Sequence, residues 1–275
     1  MTIPRAVSPL VVRECGRFAR AALARGPGEV CAVFRRSLYL RLPGGAYVCL
    51  GDATLGRGPL NARVVDPEAL RGLKIGDAAA AGLRGARLWR PRDAGRRAAP
   101  SELRRNLQRL RHAATRNPAA QGLGGALVGA RSPLLQHATP ALRALDAWLA
   151  RPREPVPARA RRLIGLGPGL TPSGDDYFGG LLLGLRASGR RGAAAELWRW
   201  LEPRARRRTS AISLAHLAAA AQGEAHEALH ACVAALFGAP PARWRRLLER
   251  LDAVGHSSGR DGLAGAVAVA RHAAR

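Results

Sequence analysis

The feature that most constrains this chain is a change of hydrophobic period. In roughly the first ninety residues apolar side chains fall in short runs with a spacing of two, whereas from Ser101 onward they recur at helical spacing. One element type cannot satisfy both halves. The pattern implies an α+β chain, with a β-rich region over 1–92 and a helical region over 93–275 that forms a bundle. The runs VCAVF, LYLRL and AYVCL read as strands, the last two joined as a hairpin through Pro43, Gly44 and Gly45, and NARVV adds another after LGRGPL. Ahead of them, Ser8 followed by Pro9 reads as a cap and first helical residue. Val11, Cys15, Phe18 and Ala22 then continue a helix to Gly26.

In the second region Leu103, Leu107 and Leu110 share a helix face, and Thr139 with Pro140 reads as the cap pair of a helix carrying Leu142, Leu145 and Leu149. The prolines of RPREPVPARARR break the chain there. Further helices are expected near 173–188, 192–201, 209–222, 224–237, 241–254 and 260–273.

Within this helical region one stretch carries more than burying leucines requires. Residues 163–185, LIGLGPGLTPSGDDYFGGLLLGL, place a glycine-rich turn, two hydroxyls and two adjacent aspartates at a helix start. Acidic residues in a first turn are ordinary helix chemistry. The pattern returns, however, in GHSSGRDGLAGAV at 255–267. Ser173, Gly174, Asp176 and Gly180 correspond to Ser258, Gly259, Asp261 and Gly265, an SGxDxxxG signature in both places. The aspartate and second glycine, four apart, share a helix face, and the glycine leaves room for a ligand or another backbone. The two turns are expected to converge.

LIGLGPGLTPSGDDYFGGLLLGL, TSAISLAHLAAAAQGEAHEAL and VGHSSGRDGLAGAV together resemble the H-subunit family of oxamate carbamoyltransferase, with GRGPLN similar to a weaker upstream signature. The resemblance runs from about Val30 to the C-terminus. It implies carbamoyl transfer between oxamate and carbamoyl phosphate, the last stage of anaerobic allantoin breakdown, within a complex of unlike subunits. A phosphate-metabolite-binding regulatory subunit without chemistry of its own is the alternative.

Residue roles follow from the chemistry. Carbamoyl transfer needs sites for phosphate and a carboxylate, donors to a developing oxyanion, and acceptors for amide hydrogens. Thr171, Ser173, Gly174, Ser257, Ser258 and Gly259 are the substrate-binding candidates, through hydroxyls and backbone N–H groups at the helix starts, and Arg260 adds a charge-assisted contact. Asp175, Asp176 and Asp261 are candidates to accept from a substrate NH2, and His256 is the candidate proton carrier. A helix start lowers a carboxylate's pKa, so Asp175 and Asp176 are expected to stay ionised. No cofactor is required by this reading, although the aspartates suit Mg2+ held through water, and the metal is otherwise unassigned. His226 and His230 have metal-compatible spacing without a third ligand, and Thr209, Ser210 and Ser213 lie near enough in pattern to reach the same site.

Composition narrows the partners. The formal charge of +26 suggests a polyanion, but Lys74 is the single lysine and the arginines are spread from Arg5 to Arg275, as codon drift in a GC-rich genome produces. With aromatic residues at 4% there are few platforms for stacking bases, so small anionic substrates and other subunits fit better than nucleic acid. Cys15, Cys31, Cys49 and Cys232 lack CxxC spacing and read as reduced thiols. There is no secretory pattern and no apolar run of the ~20 residues that span a bilayer, which implies a cytoplasmic protein without a membrane partner. An organelle transit peptide is disfavoured by Glu14 and by scarce serine.

Overall fold

The computed structural model describes residues 9–91, 97–116, 121–238 and 243–275. The chain is α+β and forms two compact units, residues 1–91 and 92–275.

The first unit is built on β1 (Leu10–Gly16), β2 (Gly28–Val33), β3 (Ser37–Leu42), β4 (Ala46–Gly51), β5 (Asn61–Val64), β6 (Ala78–Ala79), β7 (Ala81–Gly82) and β8 (Arg87–Trp89). They form a sheet ordered β6-β2-β3-β4-β5-β1-β7, with β8 also paired to β1. β3 and β4 are the expected hairpin, in full antiparallel register from Ser37↔Gly51 to Leu42↔Ala46. Alternate residues Leu38, Leu40, Leu42, Val48 and Leu50 are buried with Ala19, Ala22 and Leu23 of α1 (Arg17–Leu23) in a single core. A one-turn helix, α2 (Glu68–Arg71), contributes Leu70.

The expected first helix starts too early. Residues 10–16 are strand, with Leu10 and Val12 buried and Val11 55% exposed, and Val12 pairs with Val64. The β-branched pair Val11-Val12 favours the strand, and pairing with a distant segment overrides the local helical spacing. The helix begins only at Arg17, and Ser8 lies outside the described residues.

The second unit contains α3 (Pro100–Arg116), α4 (Pro133–Ala150), α5 (Ser173–Ala187), α6 (Arg191–Arg208), α7 (Ala211–Ala221), α8 (Glu227–Phe237), α9 (Trp244–Asp252) and α10 (Ser258–Ala273). α4 corrects the expected cap. Its start is Ser132, whose Oγ accepts from Leu135 N–H at 3.2 Å, with Pro133 in the first turn, while Pro140 sits inside the helix. The hydroxyl of Thr139 donates back to Leu135 O at 2.6 Å rather than capping. α6 runs past the expected end at 201 because Ala205 and Leu201 continue the buried stripe. Of the helix expected at 241–254, residues 241 and 242 lie outside the described residues.

α5 and α10 form the centre of this unit. Phe178, Leu181, Leu182 and Leu185 are fully buried, and almost all of α10 from Gly259 to Ala270 is buried too. Their contact is the most extensive between any two described helices. Gly262 faces Asp176 and Gly180, Gly265 faces Tyr177 and Leu181, and Gly184 faces Ala266 and Val269, so contacts advance together along both chains. The helices therefore run parallel, with their starts side by side.

Candidate functional site

The loop into α5 folds back on itself. Gly165, Gly167 and Gly169 take φ of +73°, +112° and +93°, the left-handed region that favours glycine. This fold lets Gly165 N–H donate to Asp175 Oδ1 at 2.9 Å, and Gly174 N–H donate to Leu166 O at 2.9 Å. The other oxygen of Asp175 accepts from Ser213 Oγ at 2.7 Å and from Thr209 Oγ1. Asp175 is buried and engaged on both oxygens, so it ties the loop and α5 to the start of α7. Thr209 and Ser213 reach the site by this route. Ser210 caps α7 and donates to Leu170 O at 2.6 Å.

α10 is held from a different side. Asp261, fully buried, accepts at Oδ1 from Leu123 N–H at 2.6 Å and Gly124 N–H at 2.7 Å. Gly122 has φ +75°, and a Cβ there would stand 2.4 Å from Asp261 Oδ1 and 2.6 Å from Oδ2. This clasp was missed in the sequence. The signal was present as Gly122-Leu123-Gly124, the same tripeptide as Gly165-Leu166-Gly167 before the first aspartates.

The two turns meet at the helix starts. Thr171 Oγ1 lies 2.9 Å from Ser258 Oγ, and Ser173 Oγ lies 3.5 Å from Ser257 Oγ. The hydroxyls of Ser258 and Thr171 favour the ionised form of Asp176, and those of Ser173 and Ser257 favour that of Asp261. Each aspartate is thus steadied across the helix pair. Yet Asp176 Oδ2 and Asp261 Oδ2 are both shut from solvent and have no hydrogen-bond partner among the described residues. Such orphaned acceptors cost stability, and they are the unspent hydrogen-bonding capacity of the site.

Burial reverses the expected direction of the pKa shift. It pushes Asp176 well above the usual carboxylate range, opposed by the Ser258 and Thr171 hydroxyls and reinforced by the nearby Asp261 and Asp175 carboxylates. Burial likewise raises Asp261 against the hydroxyls of Ser173 and Ser257, and raises Asp175 against Thr209, Gly165 and Ser213. A helix start favours an anion by only about 0.3–1 kcal/mol, and desolvation outweighs it here.

Other expected ligands are occupied. The N–H of Gly174 is spent on Leu166 O, and that of Gly259 on Val254 O at 3.4 Å, so these amides do not face a bound anion. A Cβ on Gly174 would stand 1.8 Å from Leu163 O, and one on Gly259 2.5 Å from Leu251 O, which makes both residues seats for the preceding chain. Gly180 and Gly265 make room for a backbone rather than a ligand. Arg260 is buried and binds Asp252 with two bonds, of 2.6 and 2.8 Å, joining α9 to α10. His256 is exposed at the rim beside Ser257.

His226 and His230 serve structure. His226 Nδ1 accepts from Ala228 N–H at 3.2 Å as the cap of α8, and His230 Nε2 accepts from Ala225 N–H at 2.9 Å. Burial, with His226 nearby, pulls His216 and His230 down to about 4. Among the described residues no group of three or more His, Cys, Asp or Glu side chains is placed to hold a metal. No described helix is long and apolar enough to cross a membrane.

Fold and site together define an α+β chain whose helical unit joins two matching glycine-opened helix starts over a pair of buried carboxyl groups. Residues 163–270 of that unit match the family model described as oxamate carbamoyltransferase subunit AllH. The matched segment contains both SGxD turns and stops short of half the chain. No curated protein and no solved structure matches the chain.

Proposed function

We propose that this chain is a subunit of a carbamoyltransferase interconverting oxalurate and phosphate with oxamate and carbamoyl phosphate, and that the joined starts of α5 and α10 are its contribution to the substrate site. The family match over both turns supports the reaction class. The observation that carries the site is the pair of orphaned oxygens, Asp176 Oδ2 and Asp261 Oδ2, beside four hydroxyls.

In this reaction a phosphate oxygen attacks the carbamoyl carbon, the bond from that carbon to the oxamate nitrogen breaks, and the nitrogen takes up a proton as the attacking phosphate loses one. The carbamoyl NH2 offers hydrogens that carboxyl oxygens accept, and its carbonyl oxygen gathers charge that hydroxyls stabilise. Asp176 and Asp261 supply the acceptors. Thr171, Ser173, Ser257 and Ser258 supply the donors. Asp176 carries the proton to the leaving nitrogen, a role that its raised pKa suits. Asp175 holds the turn in shape. His256 serves at the rim, where phosphate enters. Mg2+ stays compatible with two carboxylates and substrate phosphate, as this ion commonly keeps water and phosphate ligands. The working enzyme includes other, unlike subunits and resides in the cytoplasm.

The test is phosphate-dependent cleavage of oxalurate, measured on the chain alone and on the chain with the proteins that co-purify with it. Turnover with partners supports the subunit reading. Absence of turnover in both, with phosphate still bound, would replace it with a regulatory role.

A further inference from the structure

The family match leaves residues 1–91 without a role, and a cavity in that unit has features of a ligand site. It measures about 630 Å3 and opens at the turn between β2 and β3, bounded by the loop after β4 and by α2. That volume lies within the ~300–1,000 Å3 of small-molecule sites. Arg35, Arg36 and Arg71 line it, against a single carboxylate, Asp52. The charge is only partly neutralised from within, by the attraction between Asp52 and Arg36. Asp52 turns its Oδ1 onto Thr54, accepting from the backbone N–H at 2.7 Å and the hydroxyl at 2.5 Å. Arg36 makes only a 3.3 Å contact with Thr54 Oγ1, and Arg35 has no ion pair among the described residues. Arg71 pairs with Glu68 at 2.8 Å, but both side chains are mostly in water, where such pairs are weak and yield to a better anion.

Beside these guanidinium groups the wall is apolar and exposed. Val33 is 44% exposed and Phe34 49%. The Phe34 ring meets Tyr39 edge-on, at 75° between planes, which fixes its orientation. An exposed, oriented aromatic ring next to an excess of arginine charge suits a ligand that has both a flat ring and phosphate.

We propose that this cavity binds a nucleoside phosphate, with Arg35, Arg36 and Arg71 on the phosphates and Phe34 against the base. None of these residues belongs to the α5/α10 site, so nucleotide binding and carbamoyl transfer stand or fall separately.

Calorimetric titration of the full chain with ADP, adenosine and inorganic phosphate at ~150 mM salt tests it, since screening at that ionic strength suppresses diffuse attraction. ADP is expected to bind more tightly than either fragment. Replacing Arg35 and Arg36 by Ala should weaken ADP about tenfold or more, as loss of charge-assisted bonds does. Phe34→Ala should weaken ADP and leave inorganic phosphate unchanged. All three side chains are exposed, so the variants should keep the parent Tm. The pair Arg245→Ala and Arg246→Ala, on the exposed face of α9, is the control for the chain's general positive charge. No ADP binding, or equal losses in both arginine pairs, would overturn the proposal.

Discussion

Gly180 and Gly262 hold α5 and α10 in direct backbone contact: a Cβ on Gly180 would stand 1.7 Å from the Gly262 carbonyl oxygen. Gly265 repeats the arrangement in the other direction, 2.1 Å from Tyr177 O. The paired glycines of SGxDxxxG are therefore what lets two helix starts lie side by side, and the carboxyl groups meet because the backbones do.

Gly180→Ala should consequently destabilise the protein, although the same change at an open helical site usually stabilises by about 0.5–1 kcal/mol. Overpacking costs about 1–3 kcal/mol, and an obstacle made of backbone puts the cost at the upper end. Gly192→Ala, where nothing lies within 4 Å, is the matched control and should be neutral or stabilising. Urea unfolding of the two variants reads the difference.

The Asp176 carboxyl sets a pH dependence. Its pKa is raised in the folded chain by burial and ordinary in the unfolded one, so the native state holds more protons between the two values. Its contribution to stability is thus full below the ordinary carboxylate value and is lost as pH rises through the raised one. Asp176→Asn removes this titration. The variant's Tm should equal or exceed the parent's near neutrality, and the difference should shrink as pH falls.

Gly122→Ala should act on Asp261 from a distance in sequence. The new Cβ meets both Asp261 oxygens and the backbone is at φ +75°, so the 122–124 clasp must shift and its two N–H bonds to Asp261 are lost. Lost stability together with lost oxalurate cleavage is the expected result, whereas Gly129→Ala, also at positive φ but with open space around it, should lose stability alone.

Removing the hydroxyls on Asp175 tests its assignment as a tether. Ser213→Ala deprives the buried Asp175 Oδ2 of a donor and should cost about 1–3 kcal/mol. Turnover by the folded variant should stay near the parent's, because Asp175 does not present a free oxygen to a substrate.

How much of this was legible in sequence depended on the range of each cause. The hairpin over Pro43 to Gly45 and the helix from Ser173 follow from local period and turn chemistry, and both stand in the structure. The strand at 10–16 did not, because its partners at 62–64 and 87–89 are far along the chain and its apolar spacing also suits a helix. The start of α4 was misplaced because Ser132-Pro133 and Thr139-Pro140 are equally good caps in isolation, and only burial of Leu135 and Ala138 selects the first. At the site, the repeat showed which residues meet. It did not show that the loops ahead of each helix spend the Gly174 and Gly259 amides, or that Arg260 is held by Asp252, since those bonds arise from chain folding back over the helix starts.

The most direct test of the α5/α10 site is oxalurate cleavage by Asp176→Asn, assayed in complex with the chain's co-purifying partners and alongside its Tm. The amide keeps the shape of the carboxyl group but cannot carry the proton, so turnover should fall by ~10²-fold or more, the scale of lost acid–base catalysis, with Tm unchanged or raised. Parental turnover in a variant of equal or slightly lower Tm would contradict the account and leave Asp176 as an ordinary first-turn acid.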